Sequence, residues 1–398
     1  MKVLLVNHFP LEGSGSGIYT KNLALSLNKA GHEVSVIFPE HERYTMEGIR
    51  TKEIIFNSGS NDDWVVDFNF PCFTTHPKSN YTFYEMDQGK LDDYMEVFEK
   101  AMKEEIEAFK PDIIHAQHIW LVPYIASKLG VPYVITAHGT DLKGYKKDAR
   151  FKNYTQEAVD KSNGIITISK DVDSEVERIF GVPKERRVLL PNGYDNKLFT
   201  IMEELDKKAV LDKYGITEEH EYIVTFAGKL THFKGVDVLL KAGKIYENQL
   251  GEKVVTLIAG NGELYDDLLS LKKQLQLKNV FMLGHVNQNE LAEIYNISDV
   301  NIVPSRNEPF GLVALEAMGC GTVVIGTDQG GLQDFITEEV GGLVPVDDDL
   351  ALGRKIIREL TREDKDERAI NAFNYVKDYF SWEEYIGRLE KIYGDVLY

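Results

Sequence analysis

Two glutamates, Glu308 and Glu316, bracket the stretch of this chain best suited to chemistry: Arg306-Asn307-Glu308-Pro309-Phe310-Gly311-Leu312-Val313-Ala314-Leu315-Glu316-Ala317-Met318-Gly319. The segment starts polar, turns at Pro309 and Gly311, and becomes an apolar helix that carries one carboxylate among Leu, Ala and Met. A helix starting near Gly311 presents free backbone N–H groups and the positive end of its dipole, which suits an anion. A carboxylate on an otherwise buried helix needs a polar partner, because a lone buried charge is costly. A ribose diol is such a partner. An anion at the helix start and a diol beside the helix together describe a nucleoside diphosphate. The plainer alternative is a helix N-terminus with one glutamate salt-bridged to a neighbour.

Other residues suited to anions or hydroxyls recur along the chain. Gly13-Ser14-Gly15-Ser16-Gly17 follows the first apolar run, Val3–Val6, and precedes a helical pattern over Gly17–Lys29. Backbone N–H groups there can meet a phosphate or a sugar. The loop is not a dinucleotide fingerprint, which would need glycine at Ile18 or Thr20. His138-Gly139-Thr140-Asp141 ends another apolar run. Lys229 and Lys234 flank a turn before the helix expected from Gly235, and two ammonium groups near a diphosphate would offset its charge. Gly228, Gly260-Asn261-Gly262 and Gly284-His285-Val286 follow further apolar runs, and their glycines let a ligand approach the backbone closely. The acidic triplets fit metal binding poorly: Asp347-Asp348-Asp349 reads as a loop and N-cap, and Asp171-Val172-Asp173 opens a helix. No metal and no cofactor are expected.

These residues need two frameworks. A chain of 398 residues is long for one core, so two domains are expected. The first half alternates strands (Val3–Val6, Glu33–Phe38, Asp112–His115, Tyr133–Ala137, Gly164–Ile168, Arg187–Leu190) with helices near Leu91–Phe109, Ile119–Leu129 and Asp148–Lys161. The second half does the same, with strands at Tyr222–Ala227, Val254–Ala259, Val280–Leu283, Val300–Val303, Thr322–Ile325 and near Leu343–Val346. Its helices are expected at Gly235–Glu247, Leu264–Leu275, Gln288–Asn296 and Gly311–Met318. This alternation predicts α/β architecture with two Rossmann-like, doubly wound parallel sheets. Ligands of such sheets sit at the strands' carboxyl ends, so two sheets facing a central cleft would gather every motif above. Residues 57–90 break the rhythm; their aromatics, Trp64, Phe68, Phe70, Phe73, Tyr81, Phe83 and Tyr84, either meet an acceptor or pack the loop onto its own domain.

The net charge of −19 argues against a nucleic-acid partner. The one basic cluster, Lys143, Lys146, Lys147, Arg150 and Lys152, is interrupted by Asp148 and reads as a solvated surface helix. Two distant cysteines, Cys72 and Cys320, no signal-peptide run and no membrane-length apolar stretch fit a cytoplasmic protein without a transmembrane segment.

Residues 308–318 match the Glu–seven residues–Glu motif, in the form E-P-F-G-L-x-x-x-E-A-M, of the retaining glycosyltransferases of family 4, and the chain resembles that family over nearly its whole length. The resemblance also rests on residues 13–17, His138–Asp141, Pro191-Asn192-Gly193-Tyr194-Asp195, Gly228-Lys229-Leu230 with Lys234-Gly235, and Ala259-Gly260-Asn261-Gly262-Glu263-Leu264. It implies the GT-B fold, with an N-terminal acceptor-side domain (1–195, joined by a helix at 380–398) and a C-terminal nucleotide-sugar domain (196–379). It implies a nucleoside-diphosphate donor, most commonly UDP, and a hydroxyl acceptor, here expected to be soluble and polar. His138, Lys229, Lys234 and Glu308 would be the catalytic set. Gly15, Ser16, Gly17, Gly228, Gly260, Asn261, Gly262, Gly284, His285, Val286, Phe310, Gly311, Leu312 and Glu316 would bind the donor. The family usually has arginine where this chain has Lys229, so the charge is kept and bidentate recognition is lost. The rival readings are a sugar phosphorylase or sugar-nucleotide epimerase on the same scaffold, and a non-catalytic nucleotide-sugar-binding module.

Overall fold

The computed structural model describes residues 1–398 and divides into two compact units, residues 1–192 with 382–398, and residues 193–381. In unit 1 the strands are β1 (Lys2–Val6), β2 (Glu33–Glu40), β3 (Arg50–Ile55), β4 (Ile113–Gln117), β5 (Tyr133–Ala137), β6 (Gly164–Thr167) and β7 (Arg187–Leu189). All pair in parallel, in the order β3-β2-β1-β4-β5-β6-β7, so the direction of winding reverses between β1 and β4. The intervening helices are α1 (Gly15–Lys29), α2 (Gln88–Phe109), α3 (Leu121–Ala126), α4 (Thr140–Lys147), α5 (Lys152–Lys161) and α6 (Lys170–Phe180).

Two local features differ from the expectation. The surface helix expected across the basic stretch 143–152 is broken at Asp148, whose extended backbone (φ −138°, ψ 115°) ends α4 and whose carboxylate accepts from the Arg150 N–H and guanidinium; the helix expected over Asp148–Lys161 starts there, as a short 3-10 turn, Ala149–Phe151, that runs into α5. The glycine-rich segment is not all loop. Ser14 caps α1 by accepting from Gly17 N–H, so Gly15, Ser16 and Gly17 form the helix's first turn.

In unit 2 the strands are β8 (Tyr222–Ala227), β9 (Val254–Ala259), β10 (Val280–Gly284), β11 (Val300–Val303), β12 (Val323–Thr327) and β13 (Gly341–Val344). They form a second parallel sheet, β10-β9-β8-β11-β12-β13, which reverses between β8 and β11. Its helices are α7 (Lys207–Asp212), α8 (Val236–Leu250), α9 (Tyr265–Gln274), α10 (Gln288–Asn296), α11 (Leu312–Gly319), α12 (Asp349–Thr361) and α13 (Lys365–Phe380). Successive strand residues serve opposite faces. Val224, Phe226 and Ile258 join one core with α8 and α12, while Ile223, Val255 and Leu257 join another with α7 and α10. Both faces are apolar because helices cover both.

The last helix, α14 (Trp382–Leu397), belongs to unit 1. Its Trp382, Tyr385, Ile386, Leu389 and Tyr393 share a core with Val3 and Leu5 of β1 and with Tyr19, Leu23 and Leu27 of α1. The Tyr393 hydroxyl hydrogen-bonds His115 Nδ1 at 2.7 Å. Residues 57–90 pack mainly on their own unit: Phe70, Phe73 and Phe83 are buried, whereas Trp64 is exposed. Cys72 and Cys320 are buried free thiols, and no helix is long and apolar enough to cross a membrane.

Leu389 is fully buried, so Leu389→Ala is expected to cost about 2–5 kcal/mol. Urea unfolding should show a lower midpoint for unit 1; an unchanged midpoint would contradict the place of α14 in that core.

Candidate functional site

In unit 2 the expected residues gather at the carboxyl edge of the sheet, on both sides of the reversal between β8 and β11. On the β8–β9–β10 side, backbone hydrogen bonds carry the ladder past the strand ends. Gly228 N–H donates to Ala259 O (3.0 Å), Leu230 N–H to Asn261 O (2.9 Å) and Gly260 N–H to Gly284 O (2.7 Å). A Cβ at Gly260 would overlap the Gly228 carbonyl oxygen, so this approach of the two loops requires glycine. Gly228, Gly260, Asn261, Gly262 and Gly284 therefore form one rim. His285 stands exposed beyond it, and Val286 turns back onto the core beneath β10. Lys229, between Gly228 and the buried Leu230, is exposed.

Across the reversal, the turn His232–Lys234 precedes α8. Arg306, following β11, fixes that turn. Its guanidinium donates twice to Asp237 (2.9 and 2.8 Å), once to His232 O (2.7 Å) and once to Asp347 (2.6 Å), while its N–H donates to Phe233 O (2.7 Å). Lys234 Nζ thereby reaches Glu308 Oε2 at 2.6 Å, and Ser305 Oγ donates to the same oxygen at 3.1 Å. Glu308 is buried, and the pair answers the cost of desolvating its carboxylate.

Phe310 is buried against Phe335, and Gly311 opens α11 at φ 104°, a conformation that favours glycine. No side chain caps α11; the Ala314 N–H donates to Gly311 O (2.9 Å), and the N–H groups of Leu312 and Val313 are available to a ligand. Sequence reasoning missed what holds this turn. Gly330 and Gly331 pack directly against the Glu308–Phe310 backbone, with no room for a Cβ, and Gly331 N–H donates to Glu308 O at 2.9 Å. The signal was a Gly-Gly pair just after a strand.

Glu316 lies further along α11, half-buried, and its carboxylate makes neither a hydrogen bond nor an ion pair. Burial, and the nearby negative Asp195, push its pKa up to about 7. The salt-bridged glutamate of the plainer reading is thus Glu308 and not Glu316. No group of three or more His, Cys, Asp or Glu side chains is arranged to hold a metal ion.

In unit 1, His138 follows β5 and Gly15–Gly17 follow β1, both at the carboxyl edge. Tyr19 of α1 sets its ring edge-on to the His138 imidazole, centroids 5.1 Å apart. Burial lowers the His138 pKa to about 3, so the ring is neutral. Asp141 is buried and accepts from Ile119 N–H (2.7 Å) and Leu142 N–H (3.1 Å), tying the loop after β4 to the start of α4.

The folded-state pKa of Glu316 lies above the ordinary 4.5, so the folded chain holds this proton more tightly than the unfolded chain. Stability is then lost as pH rises from about 4.5 through about 7. Relative to wild type, Glu316→Gln is expected to gain about 1–3 kcal/mol between pH 5 and pH 8. Denaturant titrations at the two pH values measure it; a constant difference would mean that Glu316 does not titrate in this range.

Comparison with known proteins agrees with this layout. Residues 13–198 match the family model for Glycosyltransferase Family 4, and residues 208–374 match the model for Glycosyl transferases group 1. The uncharacterized glycosyltransferase MJ1607 of Methanocaldococcus jannaschii is 31% identical over 356 residues, covering 86% of this chain and 84% of that protein. Among solved structures, sucrose-phosphate synthase of Thermosynechococcus elongatus superposes with a TM-score of 0.77 at 23% identity, over 99% of this chain and 98% of that one. Anabaena HepE in complex with UDP-glucose gives 0.73 at 18% identity, over 98% and 99%. These two show a shared fold. The chain belongs to the group 1, family 4 glycosyltransferases and has their GT-B fold of two Rossmann-like domains.

Proposed function

We propose that the chain transfers a sugar from a nucleoside-diphosphate donor, UDP before other bases, to a hydroxyl of a soluble polar acceptor, with retention of anomeric configuration and without a metal ion. The observation that carries this reading is the Lys234–Glu308 pair set beside the uncapped start of α11. An ammonium has three N–H donors, and Lys234 uses one on Glu308, leaving two for phosphate oxygens. As the bond from the anomeric carbon to phosphate oxygen breaks, negative charge grows on the departing diphosphate. Lys234, Lys229 and the N–H groups of Phe310, Gly311 and Leu312 stabilise it. Glu308 accepts from donor-sugar hydroxyls, Glu316 takes the ribose diol, and the glycine rim with Asn261, Gly284, His285 and Val286 receives the base. His138 hydrogen-bonds the donor sugar as a neutral imidazole, and Gly15, Ser16 and Gly17 meet donor phosphate.

The acceptor oxygen attacks on the face from which the diphosphate leaves, and its proton passes to the departing phosphate oxygen. That UDP-glucose was captured on the HepE fold supports UDP as the first donor to try.

Lys234→Ala and Glu316→Ala are expected to fail differently. Lys234 acts on charge that develops in the transition state, so its loss should lower kcat by about a hundredfold. Glu316 holds the ribose alike in ground and transition states, so its loss should raise the donor KM about ten- to a hundredfold with kcat nearly kept. Circular dichroism and melting establish that each variant is folded. A folded Glu316→Ala enzyme with the wild-type donor KM would remove the ribose assignment. Turnover of UDP-sugar is also expected to persist in excess EDTA; activity lost to EDTA and restored by magnesium or manganese would refute the metal-free mechanism.

A further inference from the structure

Gln117 closes β4, paired in register with Thr136 of β5, and His138 lies two residues beyond Thr136, just past the end of that strand. The Gln117 amide is fully buried, with Oε1 2.9 Å from His138 Nε2. Its own Nε2 has no partner. A buried amide with one end unsatisfied is costly and calls for an explanation. The hydrogen bond of the His138 ring within the protein is made by Nε2, and Nδ1 makes none.

None of the other groups around the ring hydrogen-bonds it. Tyr19 meets it edge-on, and His118 packs 4.6 Å away, centroid to centroid, with both ring nitrogens unpartnered. His115 is bonded to Thr136 Oγ1 and Tyr393. The Asp141 carboxylate is engaged by backbone N–H groups. His118 and His115 are held neutral, as His138 is, by burial.

We propose that Gln117 is a positioning residue: it accepts the His138 Nε2–H, locks the ring as the neutral Nε2–H tautomer, and leaves Nδ1 as an acceptor for a substrate hydroxyl. The proposal rests on the reading that His138 serves the donor sugar. It assigns a function to a residue that the sequence did not single out. The opposite amide orientation would fix the Nδ1–H tautomer and turn the free nitrogen into a donor, so the two arrangements are experimentally distinct.

The test uses the full-length protein labelled with 15N-histidine, with His138 signals assigned by their loss in His138→Asn. Wild type is expected to show the Nε2–H tautomer throughout pH 6–9. Gln117→Met, of similar volume, is expected to lower kcat about tenfold with donor KM little changed, the size of one lost orienting hydrogen bond. Gln117→Glu should raise the His138 pKa, so the imidazolium forms as pH falls and turnover rises with pH through the raised value. An Nδ1–H ring in wild type overturns the proposal, and needs no variant to fold. So does a folded Gln117→Met enzyme with wild-type kcat. Wild-type turnover in His138→Asn overturns it together with the proposed role of the imidazole, a failure recognised because the wild-type ring spectrum still shows Nε2–H.

Discussion

The arrangement of unit 2 at its sheet reversal depends on one ion pair with a buried carboxylate. Glu308 is buried and the part-exposed Lys234 stands 2.6 Å from it; removing Lys234 leaves the buried carboxylate without its cation, at a cost on the order of 3 kcal/mol. The residues lie in different loops, so the pair exists only because Arg306 binds the His232–Lys234 turn, α8 and Asp347 at once. Hydrophobic packing builds the sheet on which these loops stand, but it does not specify where an ammonium sits. The fork of Arg306, with bidentate geometry toward Asp237, does. The uncapped start of α11 then lies next to a fixed cation instead of a mobile surface lysine.

Unit 1 solves its polar problem in the opposite way. His8, His115, His118 and His138 are all buried there, and all are kept neutral by that burial. His8 bonds Tyr94, and His115 bonds Thr136 and Tyr393. His118 sits at φ 70°, an unusual backbone for histidine, just where Asp141 grips the next N–H. Unit 2 thus relies on a paired charge where unit 1 relies on neutral rings.

Much of this was legible in the sequence because it is local. Apolar runs bounded by glycine or proline gave the strands, and the Glu308–Met318 segment gave the helix that bears Glu316. Strand β3 was missed because Arg50, Lys52 and Glu53 break its apolar run. Those charges suit an edge strand, whose open side they keep from pairing further. The break at Asp148 was missed because its cause is a side chain bonding its own backbone neighbourhood. The contacts Lys234–Glu308, Gln117–His138 and Gly331–Glu308 join residues far apart in the chain, and no periodicity announces such pairs. Residue types can nominate Lys234 and Glu308 separately, but only the parallel crossovers bring them side by side.

The position of α14 also orders events during synthesis. Unit 2 is one continuous stretch, so its chain is complete as soon as Ser381 leaves the ribosome. Unit 1 begins first and finishes last, because Trp382, Tyr385, Ile386, Leu389 and Tyr393 are the final pieces of a core that opens with Val3 and Leu5. Throughout translation of unit 2 the apolar flank of α1 lacks its cover, and domains otherwise tend to fold in the order they emerge. The nascent chain therefore carries an uncovered apolar face for longer than a linear arrangement of two domains would.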